Sequence, residues 1–280
     1  MKPADSDSSP YSVRRRLGDR SPRKALGQHF LNNPSICARI VDLARITPTD
    51  HVIEIGPGLG ALTAILAERS QRLTLIELDR DLAADLRQRF ADNPRVTLVE
   101  ADVLKAPLEQ IVGQQSCLAI GNLPYNVATA VLERLLDLPS IHRIVAMVQL
   151  EVAERLAASP GTRKYGALSV FTQLAARVTL AFKVRAGAFV PPPKVDSAVV
   201  VMERHANPPV ELTDPGIFDR LVRTTFGQRR KQLGNSMRPL SDDPDGILRE
   251  IGIDPARRPE TLSLAEFAAI SNRLARSGNA

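Results

Sequence analysis

The chain has 280 residues, 44% of them hydrophobic and 24% charged, with 37 Lys and Arg against 31 Asp and Glu. That is the composition of a globular chain long enough to bury a sizeable core, with one large domain plus a small one as the expectation. No apolar run reaches the ~18 residues of a membrane span, and the net charge of +6 favours a polyanionic partner, nucleic acid before an anionic membrane. Residues 1–24 are rich in Ser, Pro and Arg and read as a disordered basic arm. The arm lacks the apolar core of a secretory signal, and Asp5, Asp7 and Asp19 argue against a transit peptide, so a cytoplasmic location is expected. A helix is expected from Pro34 to Ala44, then the strand "HVIEI" running into a glycine turn, and the helix "ALTAILAERS". The strands "RLTLIELD", "RVTLVEAD" and "SCLAIGNLPY" follow, then the helix "VATAVLERLLDL" and a strand merging into a helix in "HRIVAMVQLEVAERL". After a loop near Pro160, "GALSVFTQLAARVTLAFKV" supplies one more helix and strand, and the Pro-rich "FVPPPKVDSAVVVMER" leads into a last strand. Beyond residue 205 the pattern is all-helical, with helices near 214–226, 229–235, 244–251 and 263–275.

Strands alternating with helices imply an α/β fold, a Rossmann-like parallel sheet covered on both faces. The expected organisation is an arm over 1–24, the α/β domain over 25–205 and a small helical domain over 206–280. Cys37 and Cys117 sit in apolar runs and read as buried free thiols. Neither they nor the four scattered histidines have metal-ligand spacing, so no metal is expected.

Gly56-Pro57-Gly58-Leu59-Gly60 follows a strand and opens a helix. Glycines there either serve a tight turn or let backbone approach a ligand. The spacing departs from the dinucleotide fingerprint, and Pro57 removes an amide that a pyrophosphate would use. Glu77 ends the second strand, where its carboxylate can accept both ribose hydroxyls, and Asp102 follows the third, placed to accept from an adenine amino group. Each acid alone reads equally well as a solvated strand end or a cap. Together, at the carboxyl edge of one sheet, they suit a nucleoside without phosphate, S-adenosylmethionine, ahead of NAD.

The fourth strand ends in Asn122-Leu123-Pro124-Tyr125. An exocyclic adenine amine is a poor nucleophile because its lone pair is delocalised into the ring. Two acceptors on its N–H groups, the Asn122 side-chain oxygen and the Leu123 carbonyl, would draw the nitrogen toward tetrahedral geometry. Pro124 restricts Leu123 to an extended conformation, and Tyr125 offers a stacking face to a base taken out of its stack. Catalysis would rest on positioning rather than on an obligatory general base.

The segments "KALGQHFL", "VIEIGPGLG", "LIELD", "EADVL", "GNLPYNVATAVLERLL", "FVPPPKVDSAVV" and "FGQRRKQLGNSM" resemble, in order over roughly residues 23–276, the ribosomal RNA adenine dimethyltransferases. The resemblance implies dimethylation of N6 on two adjacent adenosines in the 3′-terminal hairpin loop of small-subunit rRNA, with S-adenosylmethionine as donor and small-subunit assembly as the setting. It implies donor contacts at His29, Leu31, Gly56, Gly58, Glu77, Asp102 and Asn122, and makes Phe189 a second aromatic stacking on the adenine opposite Tyr125. Phe189 on its own reads as readily as a hydrophobic plug under the Pro-rich loop. His29 stands where the family usually has Asn.

Arg220, Arg223, Arg229, Arg230 and Lys231 fall in a window, residues 220–238, without an acid, and with Arg14–Arg16, Arg23 and Lys24 they offer a phosphate-binding surface. The loop "SPGTRKYG" is either a lid over the acceptor pocket or an ordinary surface loop. Nothing in the sequence calls for an oligomer, so a monomer is expected. Competing readings are a large-subunit rRNA methylase of the macrolide-resistance type and a non-catalytic rRNA-binding assembly factor. A DNA adenine methylase, with its D/N-P-P-Y tetrad, fits less well because Leu123 holds the second position.

Overall fold

The structure is a computed structural model and describes residues 13–18, 22–23 and 26–278. Most of the expected N-terminal arm, with Lys24 and the side chains of Arg14 and Arg15, lies outside the described residues. The chain divides into two compact units. The first holds the described residues up to Ala153 together with Thr179–Arg204; the second holds Glu154–Val178 and the described residues from His205 onward. The chain therefore passes between them at 153/154, 178/179 and 204/205, and 154–178, expected in the α/β domain, clusters with the helical residues.

In the first unit a short helix α1 (Val13–Leu17) precedes β1 (Phe30–Leu31) and α2 (Pro34–Ala44). Part of the expected arm is thus ordered: Val13 and Leu17 bury against Phe30, Leu59 and Leu82, an apolar pair too sparse to stand out from the Arg run around it. In α2, Pro34 takes the first turn, and Asn33 caps it by accepting the Ile36 N–H. Its apolar face buries Cys37, Ile40, Val41 and Ala44. There follow β2 (His51–Ile55), α3 (Thr63–Arg69), β3 (Arg72–Glu77), α4 (Arg80–Arg89), β4 (Val96–Glu100), α5 (Leu108–Val112), β5 (Cys117–Asn122), α6 (Ala128–Leu136), β6 (Ile141–Gln149) and α7 (Leu150–Leu156).

The sheet is completed by β7 (Ala176–Val184) and β9 (Ser197–Arg204), while β8 (Phe189–Val190) pairs antiparallel with β1. The strand order is β4-β3-β2-β5-β6-β9-β7. The pairs β4/β3, β3/β2, β2/β5 and β5/β6 are parallel, but β9 returns antiparallel to β6, so the sheet is not parallel throughout. The direction of β9 depends on how its connection crosses the sheet, which hydropathy does not encode. Every residue of β2 is buried, as are Cys117–Gly121 of β5. These continuously buried runs, apolar apart from His51 and Glu54 in β2, match a central parallel pair covered on both faces. The chain winds outward from β2 to β4, then restarts at β5 on the other side of β2. The carboxyl ends of β2 and β5 thus flank a topological switch point, where sheets of this kind hold ligands.

The second unit packs α8 (Ala167–Ala175) with α9 (Pro215–Gly227), α10 (Leu233–Met237), α11 (Pro244–Glu250) and α12 (Leu264–Gly278). Asp214 and Asp243 cap α9 and α11, each ahead of a Pro in the first turn. The core joins Tyr165 and Val170 to Phe218, Leu221, Leu248 and Phe267. The helix expected at 229–235 forms later, at Leu233–Met237, after the turn Gln228–Lys231. Among the described residues no helix is long and apolar enough to cross a membrane.

Candidate active site

A cavity of 460 Å³ opens at the switch point, lined in part by Gly56, Gly58, Glu77, Asp102, Asn122 and Tyr125. His29, Leu31, Leu123 and Pro124 line it as well. Strand ends on β2, β3 and β5 deliver most of these groups, which is why residues 66 positions apart meet.

The glycine turn leaves β2 with positive φ at Gly56, Gly58 and Gly60. At Gly58 a Cβ would stand 3.2 Å from the Phe30 ring, so the absent side chain has a steric cause. The Gly58 N–H donates to Glu77 Oε2 and the Asp79 N–H to Glu77 Oε1, both at 2.9 Å. Burial nonetheless pushes the Glu77 carboxyl above its ordinary value, against the pull of these amides. Each oxygen keeps a lone pair, and further donors such as the two hydroxyls of a ribose would complete the set. Asp102 is split in role: Oδ1 accepts the Leu104 N–H at 2.9 Å as a turn cap, and Oδ2 lies 3.8 Å from Lys105 Nζ.

Asn122 Nδ2 donates to the His29 carbonyl at 2.9 Å. That carbonyl can only accept, so the amide orientation is set and Oδ1 is left as an acceptor at the cavity. The Leu123 N–H donates to Met147 O at 3.1 Å, holding the next peptide on β6. The Tyr125 hydroxyl lies 2.5 Å from Ser197 Oγ. Burial raises the phenol above its usual range, so the ring is a neutral platform at physiological pH. The His29 ring stacks on Tyr125, with centroids 5.5 Å apart and planes inclined by 23°.

Phe189 does not join them. It is 2% exposed, inside a cluster with Leu31, Cys37 and Ile40. The β1/β8 register sets Phe189 opposite Leu31, and its side chain faces the core while Val190 packs against the Val13–Phe30 cluster. A two-residue strand has no readable period, so the sequence left this face open.

The basic window is also less uniform than its composition. Arg223 pairs with Asp219, one turn earlier and just outside the window, and lies over the Phe171 ring. Arg229 Nη2 donates to Arg163 O at 2.8 Å and reaches Thr162 O at 3.4 Å, while Gly161 N–H donates to Glu260 O at 2.6 Å. The loop around residue 161 is therefore tied within the helical unit, and Arg229 is one of its ties. Arg220, Arg230 and Lys231 are exposed.

The sequence reading passed over Gln28 and Glu54. Gln28 Nε2 donates to Asp79 Oδ2 at 2.7 Å, anchoring the segment that carries His29 beside β3. Glu54 is 1% exposed and accepts from Thr63 Oγ1 at 2.7 Å; burial pushes its carboxyl up to about 8. A charged residue inside "VIEIG" was the available signal. The raised value carries a stability consequence. Between 4.5 and about 8 the folded chain holds a proton that the unfolded chain has released, so stability falls as pH rises through this window. Buried His51, lowered from 6.5 to about 4, works the opposite way below 6.5. Urea midpoints are therefore expected to decline between 6.5 and about 8 for the wild type and to flatten there for Glu54→Gln; an unchanged slope in the variant would place the ionisation elsewhere.

A doubly wound sheet with a glycine turn, strand-end carboxylates and an amide–aromatic pair at one switch point has the frame of a Rossmann-like methyltransferase. Two solved structures share the fold. A dimethyladenosine transferase from Plasmodium falciparum matches with a TM-score of 0.78 at 24% identity, covering 89% of this chain and 98% of that one. The 23S rRNA methyltransferase ErmE matches with a TM-score of 0.71 at 27% identity, covering 88% and 99%. The family model described as ribosomal RNA adenine dimethylase matches residues 20–276, and the chain belongs to that family. Similar curated proteins include ribosomal RNA small subunit methyltransferase A of Geobacter metallireducens, 46% identical over 261 residues, 90% of this chain and 95% of the relative. The protein of the same name from Acinetobacter baylyi is 45% identical over 255 residues, 90% and 92%. The family's methyl donor is S-adenosylmethionine, and the Glu77 carboxylate with its unfilled lone pairs beside a glycine turn fits the ribose of that nucleoside.

Proposed function

We propose that the chain transfers methyl groups from S-adenosylmethionine to N6 of two adjacent adenosines in the 3′-terminal hairpin loop of small-subunit rRNA. The observation that carries the reading is the Asn122 amide, held by His29 O so that Oδ1 is presented at the cavity. The donor, when bound, supplies an electrophilic methyl on a sulfonium. The chain's own residues position the acceptor: Asn122 Oδ1 and the Leu123 carbonyl accept the two N6 hydrogens in the first transfer and one of them accepts the hydrogen that remains in the second, each methylated nitrogen then losing a proton to solvent, and Tyr125 stacks on the ring. Glu77 holds the ribose hydroxyls, Asp102 faces the adenine of the donor, and Gly56 and Gly58 admit the backbone close to it.

The helical unit is assigned to RNA docking, with exposed Arg220, Arg230 and Lys231 meeting phosphates. Small-subunit rRNA is preferred to large-subunit rRNA because the relatives of near-full length that share close to half the residues carry the small-subunit name. The proposed transfer uses no group that would require a metal, and none of its roles calls for a residue from a second chain. Incubation with labelled S-adenosylmethionine and unmethylated small ribosomal subunits, followed by nucleoside analysis, is expected to yield N6,N6-dimethyladenosine. Label found only on large-subunit RNA would reverse the substrate assignment.

A further inference from the structure

We infer that Arg134 is a positioning residue for the methyl donor: its guanidinium fixes the turn from which Asp102 faces the donor's adenine. The inference rests on the proposed role of Asp102 and concerns a side chain outside the motifs that pointed to the site. Arg134 lies in the last turn of α6, the helix that follows the Asn122–Tyr125 strand end. It is half-buried, and both of its terminal nitrogens donate to backbone carbonyls, Nη1 to Leu104 O and Nη2 to Ala106 O. The planar fork of a guanidinium matches two carbonyls on one turn, which the single ammonium of a lysine reproduces only in part.

Asp102 serves the N–H groups of this turn. Its Oδ1 accepts from Leu104 at 2.9 Å, and its carbonyl accepts from Lys105 at 2.9 Å and from Ala106 at 2.8 Å. Arg134 serves the carbonyls of the same residues, 104 and 106, so the turn is held from both sides. At the entry, the Ala101 N–H donates to Glu77 O at 2.9 Å and continues the β3/β4 ladder. The exit leaves the sheet, and Arg134 ties it to α6. Ala101, Asp102, Val103 and Leu104 all line the cavity, so a shift of the turn carries Asp102 with it. A displacement of about 1 Å takes an N–H···O contact out of hydrogen-bond range. Arg134 itself lies outside the cavity lining and thus acts on the adenine through Asp102.

The test is calorimetry of two ligands, S-adenosylhomocysteine and S-inosylhomocysteine, whose 6-oxo group turns an acceptor toward Asp102 in place of the amino donor. The wild type is expected to prefer the adenine ligand by about 10-fold or more. Arg134→Ala is expected to weaken S-adenosylhomocysteine about fivefold or more and to leave S-inosylhomocysteine within about twofold, so that most of the preference disappears. Arg134→Lys, which keeps the charge and loses the fork, is expected to fall between the two, and it reads the same ratio where Ala does not fold, as urea midpoints report. Added to Asp102→Ala, Arg134→Ala is expected to change S-adenosylhomocysteine affinity less than about twofold, because its effect passes through the missing carboxylate. A merely structural arginine would weaken both ligands alike and would add its full effect to that of Asp102→Ala. Either result overturns the inference, as does an unchanged preference in Arg134→Ala. If Asp102→Ala itself keeps the adenine preference, the reading of Asp102 falls first; if it loses the preference while Arg134→Ala keeps it, only the role of Arg134 falls.

Discussion

Asn122→Ala is expected to lower methyl transfer by about 10²–10³-fold while RNA binding survives. Its side chain makes one structural bond, Nδ2 to His29 O, and leaves Oδ1 at the cavity, where the proposed adenine would meet it. In the proposed mechanism its removal takes away an acceptor for the N6 hydrogen as the nitrogen becomes tetrahedral, so the loss would fall on the chemical step. Asn122→Asp sharpens the test. An ionised Asp at this place sets a carboxylate oxygen against the His29 carbonyl where a donor stood, and it is expected to be no better than Ala at neutral pH. Filter binding to small subunits alongside single-turnover methylation separates the two steps; parallel loss of both would contradict the assignment of Asn122 to chemistry.

The second large effect concerns stability. Gly121→Ala is expected to destabilise the fold by ~3 kcal/mol or more, read as a lowered urea midpoint. An ideal Cβ at Gly121 would lie 2.4 Å from the Ile55 carbonyl oxygen, well inside any real contact. Both partners are backbone, on the paired central strands β2 and β5, and neither yields without disturbing that ladder. The Gly121 φ is not positive, so the requirement is close approach rather than a turn. A midpoint within experimental error of wild type would mean that the two strand ends separate more easily than their burial indicates.

These two neighbours show how far local pattern reaches. "GNLPY" announced an unusual strand end, and Asn122, Pro124 and Tyr125 do line the cavity. The reason for Gly121 just before them is a carbonyl on a strand 66 residues earlier. Arg229 makes the same point in the helical unit. Its setting among cations suggested a phosphate contact, but its guanidinium is engaged by carbonyls 66 and 67 positions away. Arg223 has an acid one helical turn back, at Asp219, which was legible in principle.

By itself the sequence determined what depends on neighbours along the chain: the alternation of strands and helices, the capped helix starts at Asn33, Asp214 and Asp243, and the glycine turn with acids at the next two strand ends. Those features follow from periodicity, φ restrictions and side-chain-to-backbone bonds over a few residues. Tertiary structure alone decided the antiparallel return of β9, the clustering of 154–178 with the helices, the burial of Phe189 and the stacking of His29 on Tyr125. Each of these turns on which distant surface an element meets. A two-residue strand or a lone imidazole carries no period of its own, so only its partner across the fold settles which way it faces.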